Sequence, residues 1–121
     1  MKGFLLFVLS PFLLVPAALA GKADVLEVDI RLYKGKAYHF TVTVQHADDG
    51  EKHHAKKWEI LAPDGTLLAT RVLGHPHDFE QPFTREHCCV PIPAGIDKVT
   101  VRAWDNLHGH GGKTVTVAVP R

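Results

Sequence analysis

Hydrophobic and polar residues alternate with a period of two along most of the chain, and no long helical periodicity of 3.6 is present. The stretch VLEVDIRL places Leu26, Val28, Ile30 and Leu32 on one face of a strand. AYHFTVTVQH places Phe40, Val42 and Val44 on one face, with His46 next in the same register. KKWEILAPDGTLLATRVL reads as a hairpin. Trp58 and Ile60 precede the turn, Pro63-Asp64-Gly65 supplies fixed φ, a local cap and positive φ, and Leu67 to Leu73 returns. HCCVPIP is a short strand stopped by Pro93-Ala94-Gly95. KVTVRAWDN aligns Val99, Val101, Ala103 and Asp105, and TVTVAVP aligns Val115, Val117 and Val119. Seven short strands with turns about every ten residues predict an antiparallel, immunoglobulin-like β-sandwich. The longest segment without strand character is GHPHDFEQPFTRE, residues 74–86. An ordered loop of that length in a small sandwich is more often functional than idle.

The first 20 residues fall outside this pattern. MKGFLLFVLSPFLLVPAALA has a basic start, an apolar run broken by Ser10, Pro11 and Pro16, and the ending Ala18-Leu19-Ala20. That is the layout of a secretory signal peptide, and it predicts cleavage between Ala20 and Gly21. The remaining 101 residues suffice for one domain with one core. Lys2 is the one charged residue of the leader, so the rest carries 13 basic and 13 acidic side chains. This balance does not suit nucleic acid or an anionic membrane surface, which call for a basic excess. The implied location is periplasmic or secreted, with no membrane contact once the leader is removed.

An exported protein lies in an oxidising compartment. Cys88 and Cys89 are adjacent, and neighbours on a strand point to opposite faces. The expectation is therefore one buried and one exposed cysteine, with an intermolecular disulfide or soft-metal ligation as alternatives. Ser10 is the single serine, so the domain has no serine nucleophile. No paired glutamates or phosphate-cradling glycine loop is evident, and an organic cofactor is not expected.

Histidine is the compositional outlier, with nine in the chain, all after the leader. His46, His53 and His54 flank the turn ADDGEK. His75 and His77 lie in GHPHDF, with His87 further on. His108 and His110 lie in NLHGHGG, and His39 stands apart in mid-strand. A His-x-His pair on extended chain puts both rings on one side. Neutral imidazole offers a nitrogen lone pair, which makes histidine the commonest metal ligand. An inward His46 and an inward Asp105 at strand ends need a hydrogen bond, an ion pair or a metal. HADDG and HGHGG also serve as plain polar turns, and a lone inward histidine is more often hydrogen-bonded than ligating. The candidate ligand set is His46, His54, His75, His77, His108, His110 and Asp105. A set of His and Asp suits Zn, Cu, Ni or Fe.

DNLHG after KVTVRAW, together with VQHADDGEKHHAKKWEIL, resembles the immunoglobulin-like domain of superoxide reductases, the desulfoferrodoxin and neelaredoxin proteins. The resemblance implies a mononuclear iron held by four histidines and an axial cysteine, with His46, His54 and His108 matching three of the histidines. Asp105 stands where that family has its cysteine. The His46–His54 spacing is two residues longer than the family's, and the fourth histidine has no match. Two expectations follow from the residues themselves: a His-rich domain for metal capture, delivery or redox, and a protein-interaction domain using Phe79 and Phe83 of the 74–86 loop. The resemblance adds a third, a superoxide-reductase-like metalloenzyme.

Overall fold

A computed structural model describes residues 21–48, 50 and 52–121; the expected signal segment lies outside the described residues. Seven strands follow in chain order: β1 (Asp24–Lys34), β2 (Ala37–Gln45), β3 (Ala55–Leu61), β4 (Leu67–Val72), β5 (Phe83–Pro91), β6 (Lys98–Asp105) and β7 (Val115–Ala118). They form two antiparallel sheets, ordered β1-β2-β5 and β4-β3-β6-β7. This is the expected immunoglobulin-like sandwich, with the fourth strand on the sheet of the third, sixth and seventh.

The period-two pattern explains the core. Phe40, Val42 and Val44 of β2 face Trp58 and Ile60 of β3 and Val99, Val101 and Ala103 of β6, all buried. The Pro63-Asp64-Gly65 turn closes β3 on β4. The Ala62 and Gly65 amides bond the Thr66 and Ala62 carbonyls, and the Thr66 amide bonds Asp64 Oδ1. His46 and Asp105 continue the inward registers of β2 and β6 and are buried, as the alternation requires.

Four expectations change. In β1 the register shifts between Val25 and Glu27, so Val25 turns inward and Leu26 outward. An irregularity of this kind reverses the faces of the residues on its far side. Leu32 is also exposed, near the far end of β1. Strand β5 begins at Phe83 rather than His87, which shortens the connection after β4 and puts His87 in mid-strand. Cys88 and Cys89 are both exposed and joined to each other by a disulfide. The Cys88–Cys89 peptide is cis.

The half-buried His87 ring meets the Trp58 ring edge-on at 6.1 Å. Burial, then the nearby Arg71 guanidinium, lowers its pKa below the usual imidazole value. The folded state therefore prefers neutral His87. Its stabilising share is present above the unfolded pKa, ~6.5, and is lost as pH falls from there through the depressed folded value. The melting temperature is expected to fall between pH 7.5 and 5.5, and His87→Gln to flatten part of that fall. Phe40→Ala is expected to cost about 3–5 kcal/mol in urea unfolding, because Phe40 is fully buried at the sheet interface.

Candidate metal centre

All the residues that matter for chemistry gather at one pole of the sandwich. There β2 ends, β3 begins, β6 ends and β1 begins. Asp24 pairs with Gln45 and Ala55 with Asp105 in the sheet registers. The segment before β1 is drawn across to the β6–β7 connection. The Val25 amide bonds the Lys113 carbonyl at 2.8 Å, and the Lys113 amide bonds Asp24 Oδ1 at 2.7 Å. Gly112 makes the approach possible, since a Cβ there would lie 2.0 Å from the Ala23 carbonyl oxygen. The consequence is that Gly21 is delivered to the pole.

His46, His53 and Asp105 form the centre, each offering one ligand atom within a mutual span of 4.8 Å. His46 Nε2 and His53 Nε2 are 3.2 Å apart. Asp105 Oδ2 is 3.5 Å from His46 Nε2, and Asp105 Oδ1 is 3.5 Å from His53 Nε2. A tetrahedral zinc with bonds of 2.0–2.1 Å has ligand atoms about 3.3–3.4 Å apart, close to these separations. The Gly21 carbonyl oxygen sits among them, 3.3 Å from His46 Nε2 and 3.1 Å from His53 Nε2.

Asp48 fixes the chemistry of His46. Its Oδ1 lies 2.5 Å from His46 Nδ1, and both side chains are fully buried. With Nδ1 held by this carboxylate, the other ring nitrogen, Nε2, faces the centre. Asp48 is anchored in turn: Oδ1 also accepts the Ala55 amide at 3.0 Å, and Oδ2 accepts the His77 amide at 2.6 Å. Asp105 Oδ1 accepts the Leu107 and His108 amides at 2.8 and 2.6 Å. Its Oδ2 is buried without a hydrogen bond and faces the imidazoles.

Possible ligand atoms therefore crowd a small volume. The Asp105 and Gly21 oxygens are acceptors, and the buried Asp48 carboxylate stands behind His46. Buried charge of one sign is costly unless paired. Among the described residues, the ion-pair partners of Asp48 and Asp105 are imidazoles. A divalent cation would satisfy the acceptors and neutralise both carboxylates.

The structure divides the expected ligand set. His46 and Asp105 are at the centre. His108 is at its border: its ring centroid is 4.9 Å from that of His53, and its Nε2 would lie 2.8 Å from a Cβ on Gly21. His54 is buried, with its amide bonded to Asn106 Oδ1, and lies outside the cluster. His75 and His77 do share a side, with ring centroids 4.7 Å apart, but His77 stacks on Phe83 at 3.9 Å. Burial, then Arg85 and His75, lowers the His77 pKa. His110 bonds Glu59 Oε1 at 3.0 Å, so the turn at 106–108 sends His108 and His110 to different neighbours. Phe83 is buried, which leaves Phe79 as the exposed aromatic of the 74–86 loop. A surface depression of about 440 Å³ is lined by His75 to Glu80 and does not include the cluster.

His53 and Asp48 are the site residues that the pattern of the sequence does not single out. His53 belongs to the same histidine group as His46, but the resemblance to superoxide reductases matches His54 instead. Asp48 looks like one more polar turn residue.

Comparison with known proteins gives one informative relative. A protein of Halomicrobium mukohataei named "Putative lipoprotein" is 38% identical over 96 residues, covering 79% of this chain and 47% of its own length. The chain thus spans just under half of that relative. No family model and no solved structure matches.

Removing the Asp48 carboxylate leaves the Ala55 and His77 amides without an acceptor. Each stranded buried donor costs roughly 1–3 kcal/mol. Asp48→Ala is expected to lower the unfolding free energy by about 2–5 kcal/mol in urea titrations followed by tryptophan fluorescence.

Proposed function

We propose that this protein is an exported domain that binds a divalent transition metal at the pole of its sandwich, for capture or delivery. The observation that carries the reading is the convergence of His46 Nε2, His53 Nε2 and the Asp105 carboxylate within a span of 4.8 Å, with the buried Asp105 Oδ2 left unbonded. His46, His53 and Asp105 hold the ion, Asp48 positions His46, and His108 stands within reach of the rim. The side chain of His53 is 20% exposed, so the centre has a path to solvent. Export is supported by the leader-like first 20 residues and by the name of the Halomicrobium mukohataei relative, which describes an envelope-attached protein. In the segment that resembles superoxide reductases, the position of the axial thiolate is taken by Asp105. A carboxylate there does not supply the soft axial donor on which that iron chemistry depends, so binding is favoured over superoxide reduction.

Zn(II) titrated into the chelator-treated protein at pH 7.5 is expected to give one equivalent of binding heat and a higher melting temperature. Ligation displaces protons, so acidification weakens binding. His46→Ala and His53→Ala are expected to abolish the heat, whereas His75→Ala and His110→Ala leave it unchanged. Asp48→Asn keeps the shape and is expected to weaken binding about 10- to 100-fold. The reading fails if neither Zn(II), Cu(II), Ni(II) nor Fe(II) produces heat or a thermal shift.

A further inference from the structure

We infer that Gly21 is itself a ligand, and that the centre is completed only when the chain is cut between Ala20 and Gly21. The inference rests on the metal-site reading above and deepens it. The Gly21 carbonyl oxygen is 3.1 and 3.3 Å from the two imidazole nitrogens, which are 3.2 Å from each other. The unbonded Asp105 Oδ2 is 3.5 Å from His46 Nε2, so four of the six edges of a four-atom ligand shell are in place. Gly21 supplies the fourth vertex.

The same position is where the leader pattern predicts cleavage. The two observations are independent: one is geometric, the other lies in residues 1–20 of the sequence. In the uncut chain the Gly21 nitrogen belongs to an amide, whose lone pair is delocalised into the carbonyl and does not ligate. A signal endopeptidase adds water across the Ala20–Gly21 bond, giving a carboxylate on Ala20 and an α-amine on Gly21. The ammonium form loses its proton to solvent, and the amine lone pair is then free to ligate. Amine nitrogen and carbonyl oxygen of one residue close a five-membered chelate ring, a far better donor pair than a lone carbonyl oxygen. Glycine suits the position because the His108 ring packs against it, with Nε2 only 2.8 Å from where a Cβ would be. Metal affinity thus becomes a property of the processed protein, and the precursor is held in a weak-binding state until export.

The test uses the full chain, exported and processed in a bacterial host. Intact mass is expected to show a chain beginning at Gly21; a different N-terminus overturns the inference. A second chain carries Ala-Pro inserted between Ala20 and Gly21, so that processing leaves the Gly21 nitrogen as an amide. The insertion is expected to weaken Zn(II) binding at least tenfold in calorimetry. Equal affinity of the two proteins overturns the role of Gly21 and leaves the metal site standing, whereas absence of heat in both overturns the site as well. A measurement without a variant is also decisive. Acetylation near neutral pH favours an α-amine over lysine, since their ordinary pKa values are about 8 and 10. Zinc is expected to protect Gly21 from acetylation in the processed protein, and chelator to expose it. Equal labelling with and without zinc contradicts the inference.

Discussion

The hydrogen bond between Asp48 and His46 is the constraint on which the pole of this molecule depends. It joins two side chains with no solvent exposure. With Nδ1 committed to Asp48, Nε2 of His46 has one direction to face. That direction holds His53, Asp105 and the Gly21 carbonyl. The carboxylate also accepts amides from the start of β3 and from the connection before β5. A single side chain thus ties the β2–β3 and β4–β5 connections to one imidazole.

The sandwich contributes rigidity and a route for the sequence to reach this point. Strands β2 and β6 lie in different sheets, and each ends by carrying its inward register one residue beyond the apolar core. The residues that arrive there are His46 and Asp105, placed as accurately as Val44 and Ala103 beneath them. The loop residues His53 and Gly21 then need only be fixed by a few contacts. Backbone proximity at Gly112 and the paired carbonyl and amide of Lys113 accomplish this for the first segment.

Much of this arrangement is legible in the amino-acid sequence. Alternation places all seven strands, the hairpin turn and the buried faces of β2 and β6, and it marks His46 and Asp105 as inward polar residues at strand ends. It fails where geometry departs from regular period two. The shift after Val25 exchanges Leu26 for Val25, and Phe83 joins β5 although its neighbours read as loop. The choice between His53 and His54 is invisible in spacing alone, because adjacent residues point to opposite sides and only the fold shows which one meets His46 and Asp105. Asp48 is hidden for a different reason. Its importance lies in amide donors supplied by distant segments, and these have no signature in a local pattern.

Diffraction from crystals grown with zinc, recorded at the zinc absorption edge, tests the central claim most directly. The account predicts one strong anomalous peak about 2.0–2.2 Å from His46 Nε2, His53 Nε2 and an Asp105 oxygen, with the proton of His46 kept on the Asp48 side. Zinc bound elsewhere on the surface, with His46 sitting as an imidazolium between Asp48 and Asp105, would contradict it.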